Sequence, residues 1–171
     1  MPQIIRLKQT NHRVVIRLSR TGQAPPLTNE EIELMLKENH TARICTHNKD
    51  GTIHAIPVGY SYMNGQIIVL SLTKSRKTGN IKRNNDVTVL IDTQKPLRGI
   101  LIYGKAEIGY DKVYEQATAA VEKMGVPKEK VQRFTKDYLD TFKSAVVRIT
   151  PKHIISFDYN EVWKDFLKTH L

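Results

Sequence analysis

Seven consecutive residues, Ser71-Leu72-Thr73-Lys74-Ser75-Arg76-Lys77, gather three hydroxyls and three cations. Ser75 suits a helix N-cap, and a helix start offers free backbone N–H groups and the positive end of the helix dipole. Arg76 adds a planar fork of donors matched to phosphate oxygens. The natural ligand of such a corner is an anion, phosphate above all; the plain alternative is a solvated basic loop. Neither G-x-x-x-x-G-K-[ST] nor G-x-G-x-x-G occurs, so neither a P-loop nor a Rossmann crossover is indicated.

Other reactive side chains form poorer sets. His47 and His54 flank Asp50-Gly51 and would be cross-strand neighbours, but two imidazoles beside a turn lack the third and fourth ligands of a zinc site. Cys45 alternates with Ala42 and Ile44 on an expected strand and reads as a small half-buried thiol rather than a nucleophile. Val131, Phe134, Tyr138 and Phe142 recur near helical spacing, the pattern of a core stripe. Asp111, Glu115, Glu122 and Lys123 read as a wet helix face.

The elements that must position the basic corner are legible on both sides of it. Thr28-Asn29-Glu30-Glu31 has the form of a capping box and predicts a helix over about 29–39. Residues 41–47 and 52–62 read as strands joined at Asp50-Gly51; a two-residue turn there pairs His47 with His54 and Arg43 with Val58. Asn64-Gly65 marks a second hairpin into 66–72, giving a three-stranded meander. Ser75 caps a short helix ending near Asn84-Asn85, and 87–91 and 99–110 are further strands joined across Pro96. Helices are expected over 111–124 and from Pro127 to about Lys143, with Gly125 as a stop between them. A sixth strand over 145–157 and a terminal helix over 161–169 complete the chain.

Composition sets the frame. A chain of 171 residues with 40% hydrophobic and 26% charged residues is one globular domain, long enough to bury roughly 70% of its unfolded surface. One cysteine excludes an internal disulfide; with no apolar run of ~18–20 residues and no leader pattern after Met1, the expected location is the cytoplasm, with no membrane partner. Lys and Arg number 27 against 17 Asp and Glu, a formal net charge of +10, half of it from Arg6, Lys8, Arg13, Arg17 and Arg20. Residues 1–27 contain no acid and end in Gly22-Gln23-Ala24-Pro25-Pro26, so they read as a basic extension and linker before a domain over 28–171. Val14-Val15-Ile16 is a short strand candidate within it. The basic arm raises the question of nucleic acid, but no zinc-finger, basic-zipper or aromatic-basic RNA signature accompanies it, so specific nucleic-acid binding is not expected.

From about Thr28 to Tyr110 the sequence resembles the FMN-binding split β-barrels related to pyridoxamine 5′-phosphate oxidase. The resemblance is carried by Ala42-Arg43-Ile44-Cys45-Thr46, Asp50-Gly51, Ile56-Pro57-Val58, Ser71, Ser75-Arg76-Lys77, Asn80-Ile81 and Gly104-Lys105-Ala106, with a late Ile155-Ser156-Phe157-Asp158-Tyr159. It implies an α+β, mainly β fold: a six-stranded Greek-key split barrel with peripheral helices. It also implies a homodimer with FMN at the interface, Arg43, Ile44, Cys45 and Thr46 lining the flavin, Ser71, Ser75, Arg76 and Lys77 holding its phosphate, and Asn80 bracing the corner. The implied activity is that of a flavin-dependent oxidoreductase acting on a small-molecule substrate or electron acceptor, with no residue assigned as general acid or base. Alternatives on the same barrel are a reductase using the deazaflavin F420 and a non-enzymatic nucleic-acid or haem binding module. Gly99 stands where pyridoxamine 5′-phosphate oxidase proper has a glutamine, and the family's C-terminal tryptophan and Arg-His motif are not recognisable after Phe157. Trp163 reads as packing or a dimer contact, and oxidation of vitamin B6 is not expected.

Overall fold

The computed structural model describes Val15–Ile16, residues 24–160, Val162 and Lys164. The cations of the N-terminal arm, Trp163 and most of the expected terminal helix lie outside the described residues. Helix α1, Asn29–Glu38, opens with the expected capping box. Glu31 N donates to Thr28 Oγ1 at 3.2 Å and Thr28 N to Glu31 Oε2 at 2.8 Å, and Ile32, Met35 and Leu36 turn inward at helical spacing. The strands that follow are β2 (Thr41–His47), β3 (Ile53–Gly59), β4 (Ser61–Met63) and β5 (Gln66–Leu72), then α2 (Arg76–Arg83), β6 (Asp86–Gln94) and β7 (Leu97–Gly109). Helices α3 (Val113–Lys123) and α4 (Lys128–Thr141) lead into β8 (Ser144–Asp158), and β1, Val15–Ile16, pairs with β8 in parallel.

These strands form one curled, antiparallel sheet in the order β3-β2-β6-β7-β8-β5-β4, with β1 beside β8. Seven strands lie in this path rather than the six expected, because the run 52–62 is two strands. At the break, Tyr60 is 3% exposed, its N–H donates to His40 O at 3.1 Å and its hydroxyl to Leu36 O at 3.1 Å. The expected meander is therefore replaced by two hairpins, β2-β3 and β4-β5, at opposite ends of the strand order. Consecutive in the chain yet at the two edges, β3 and β4 bring those edges round toward each other. The α3–α4 pair packs against β5 and β8.

The Asp50-Gly51 hairpin is also one residue off the expected register. Cα partners are His47 with Ile53, Thr46 with His54 and Arg43 with Pro57. Gly51 alone in this turn has positive φ, at 84°, and Asn48 N donates to Thr52 O at 2.8 Å, so the loop is the three-residue type with a left-handed glycine. His47 and His54 consequently fall on opposite faces of the hairpin. Among the described residues there is no group of three His, Cys, Asp or Glu that could hold a metal.

Alternation builds the core. Ala42, Ile44 and Thr46 face inward on β2, as do Val87, Val89 and Ile91 on β6 and Ile100 and Ile102 on β7. On β8 the inward parity switches between Ile149 and Ile154, because β7 runs from Tyr103 opposite His153 to Gly104 opposite Pro151, leaving Lys152 as the extra residue of a bulge. A Cβ on Gly104 would lie 2.7 Å from Thr150 O, so the close approach of the two backbones there requires glycine.

Candidate anion and cofactor site

Strand β5 delivers Ser71 to the inner face, where it is 2% exposed. The chain then turns, with Ser75 N donating to Leu72 O at 3.0 Å and Thr73 N to Lys143 O at 2.9 Å, and α2 begins. Ser75 is its N-cap, accepting from Thr78 N at 3.3 Å. Thr78 is the centre of the corner: its hydroxyl donates to Leu72 O at 2.9 Å and lies 2.8 Å from Ser71 Oγ and 2.9 Å from Ser75 Oγ. With its own proton committed to Leu72, Thr78 Oγ1 has two lone pairs for the two serine hydroxyls. Ser71 and Ser75 are thus brought together through Thr78, and Ser71 is turned into the fold.

The groups left for an anion are the amides of Arg76 and Lys77 and their side chains. None of these four makes a hydrogen bond or ion pair among the described residues. Arg76 is exposed and Lys77 half-buried, and burial pulls the Lys77 ammonium below its ordinary 10.5. A half-buried cation without a counter-charge beside two free amides is an anion site by composition. One carboxylate lies nearby: Asp50 is held below its usual range chiefly by the Thr52 hydroxyl and amide, with a smaller pull from Arg76.

Asn80 carries this corner to β2. Its Nδ2 donates to Thr46 Oγ1 and to Asn48 Oδ1, both at 3.0 Å, while its Oδ1 accepts from Arg83. Ile44 and Thr46 are buried on the inner face of β2; Arg43 and Cys45 lie on the outer face, opposite Pro57 and Ala55 on β3 and Leu90 and Thr88 on β6. Burial raises the Cys45 thiol, so it is less ionised than a free cysteine. Arg43 is paired with Asp92. The outer face continues through Gly99, the Cα partner of both Asp92 and Phe157. The Phe157 ring fills the place of a side chain on Gly99: a Cβ there would lie 2.6 Å from Phe157 Cζ and 3.0 Å from Ile91 O.

Thr78, Asp92 and Phe157 belong to this arrangement; sequence reasoning singles out neither Thr78 nor Asp92 and has Phe157 only as part of the late segment of the resemblance, with no role at the site. The Ser75-x-x-Thr78 spacing is a local signal for the first, being that of a cap residue and the third helical position. The other two depend on pairings across the sheet that no local pattern encodes.

The family model "Pyridoxamine 5'-phosphate oxidase" matches residues 28–161. Among solved structures, a conserved hypothetical protein from Mycobacterium tuberculosis is 23% identical with a TM-score of 0.70, over 84% of this chain and 92% of that one. A FAD-binding protein from Mesorhizobium loti is 18% identical with a TM-score of 0.56, over 78% of this chain and 95% of its own. An F420 reductase is 18% identical with a TM-score of 0.53, over 71% of this chain and 94% of its own. No curated protein matches the sequence. No helix among the described residues is long and apolar enough to cross a membrane.

Proposed function

The chain belongs to the pyridoxamine 5′-phosphate oxidase family, and from that premise we propose that it is an FMN-binding oxidoreductase that works as a homodimer. The observation that carries this reading is the uncompensated Lys77 ammonium beside the free amides at the start of α2. That donor set fits a phosphate monoester: two amides, an ammonium and a guanidinium satisfy its oxygens without a metal. When bound, FMN supplies hydride or electron transfer at its isoalloxazine.

The chain's own residues then divide by role. Arg76 and Lys77 hold the phosphate; Ser71, Ser75 and Thr78 fix the first turn that presents them. Arg43, held by Asp92, with the Ile44–Thr46 backbone, supplies the strand along which the ring system lies. Asn80 keeps that strand and the phosphate corner at one spacing. The outer sheet face carries Ile53 and Tyr103, 54% and 42% exposed, beside half-buried Leu90, Leu101 and Ile155. An apolar sheet face of this kind supports a second copy as its cover.

Gly99, with Phe157 over it, offers the ring edge no side-chain donor, which argues against pyridoxamine 5′-phosphate as substrate. The F420 reductase neighbour supports a second reading, in which the phosphate of F420 uses the same corner. The test is the absorption spectrum of the purified protein followed by titration with FMN and with F420. A flavin spectrum, or saturable FMN binding, supports the first reading; binding of F420 alone replaces it with the second. Binding of neither removes both.

A further inference from the structure

A second concave site lies on the far side of β5 from Ser71. Ile68 and Leu70 point out of the barrel from β5, and α3 and α4 cover them with Ala117, Val121, Phe134 and Tyr138, leaving a cleft of about 500 Å³. This volume falls within the ~300–1,000 Å³ of small-molecule sites. One wall is apolar and ends at Phe134, which is 44% exposed rather than packed as its helical spacing suggests; His40, Thr41, Ser61 and Gln116 also line the cleft. Lys123 is the one Lys, Arg, Asp or Glu among the described residues lining the cleft. It does not simply point into water with the rest of α3: its Nζ donates to Tyr60 O at 3.0 Å and to Ser61 Oγ at 3.2 Å. Both partners are neutral, no acidic side chain pairs with it, and an ammonium has a third N–H.

We propose that this cleft binds a small apolar monocarboxylate, its hydrocarbon against Ile68, Leu70, Val121 and Phe134 and its carboxylate on Lys123. One ammonium matches a single negative charge, and the apolar wall of Ile68, Leu70, Val121 and Phe134 beside it matches a hydrocarbon tail rather than a second charge. A cationic ligand would meet Lys123 and no carboxylate. The site is separate from the FMN corner, and its occupancy does not depend on that reading.

The test uses the full chain and decanoate, with decanol as the uncharged probe, by isothermal titration calorimetry below the decanoate micelle concentration. Saturable one-to-one binding of decanoate is expected. Lys123→Met, which keeps the aliphatic stem, should weaken decanoate at least tenfold and leave decanol unchanged, and Lys123→Arg should retain decanoate binding. Ala120→Phe, in the cleft wall, should exclude both probes. Thermal unfolding establishes that each variant is folded, and the Lys123→Arg and decanol comparisons stand if Ala120→Phe is not. Absence of saturable decanoate binding to the unaltered protein, or equal decanoate affinity with and without the Lys123 charge, overturns the proposal.

Discussion

Asn80 Nδ2 and Thr46 Oγ1 lie 3.0 Å apart across 34 residues of sequence, joining the helix of the phosphate corner to the strand proposed for the flavin. Both residues are buried, at 2% and 0% exposure, so neither can turn to water for a substitute partner.

Removing this tie should be costly. Asn80→Ala leaves the Thr46 hydroxyl, the Asn48 carbonyl and the Arg83 guanidinium without the asparagine, and unsatisfied buried groups cost about 1–3 kcal/mol. The expected loss in melting temperature is about 2–4 °C per kcal/mol for a chain of this size. Thermal unfolding measures it; a melting temperature unchanged within error would mean that Asn80 braces nothing.

Phosphate recognition should rest on Arg76 and Lys77. A charge-assisted hydrogen bond is worth about 1.5–3 kcal/mol, so Arg76→Ala should weaken FMN roughly 10- to 100-fold. Riboflavin, which lacks the phosphate, should be unaffected. Equal losses for the two ligands in fluorescence titrations would place the phosphate elsewhere.

The same corner has a pH signature. Burial lowers the Lys77 pKa in the folded chain below 10.5. Between the lowered value and 10.5 the unfolded chain therefore binds the proton more readily than the folded one, so unliganded stability gains from Lys77 as pH rises through that interval. A phosphate reverses the preference, because it favours the charged ammonium. FMN binding should take up a proton there, and affinity should fall as pH rises through the same interval. Affinities measured from about pH 7 upward should lose this slope in Lys77→Met. A slope common to both proteins belongs to another group.

Asp50 competes for Arg76 without being able to bind an anion itself. Asp50→Asn should strengthen FMN binding by roughly 2- to 5-fold at low salt, the scale of an exposed charge pair, and the gain should shrink as salt rises. Titrations at two ionic strengths measure it, and weaker binding by the variant would mean that the Asp50 turn shapes the site rather than opposing its charge.

Gly99 and Phe157 should behave as one unit. Gly99→Ala places a methyl in the space of the Phe157 ring and against Ile91 O, and overpacking costs about 1–3 kcal/mol. Phe157→Ala in the same chain should recover part of that loss, the part owed to the ring rather than the carbonyl. Denaturant unfolding of both single variants and the pair measures the coupling. Strict additivity would show that the ring does not set the glycine.

Local chemistry explains which parts of this fold were readable. The capping box at Thr28 and Glu31, the cap at Ser75, the Asn64-Gly65 turn and the strand at 41–47 all depend on neighbours within a few residues. The Asp50-Gly51 register failed because a two-residue and a three-residue loop share that dipeptide. The choice between them lies with Asn48, whose side chain donates to Thr52 Oγ1 at 3.0 Å, and with Asp50, which accepts from Thr52 N at 3.0 Å. The break at Tyr60 was hidden in a run of good strand formers, since its cause is a pocket made by α1. Within the site, the basic corner was visible as composition, whereas Asp92 and Phe157 acquire roles only once the sheet order is known.

The position of β8 between β7 and β5 has a consequence for synthesis. Residues of β5 are made early, but their ladder partner begins at Ser144, after α2, β6, β7, α3 and α4. Until then Gln66-Ile67-Ile68-Val69-Leu70-Ser71-Leu72 has β4 on one side and an open edge on the other, and its outer face waits for α3 and α4. A nascent chain halted short of Ser144 therefore displays an uncharged, strongly apolar strand with free amides and carbonyls, the feature most prone to recruit another chain. Strand β8 covers that edge, so products truncated before Ser144 should accumulate as aggregates rather than as smaller folded domains.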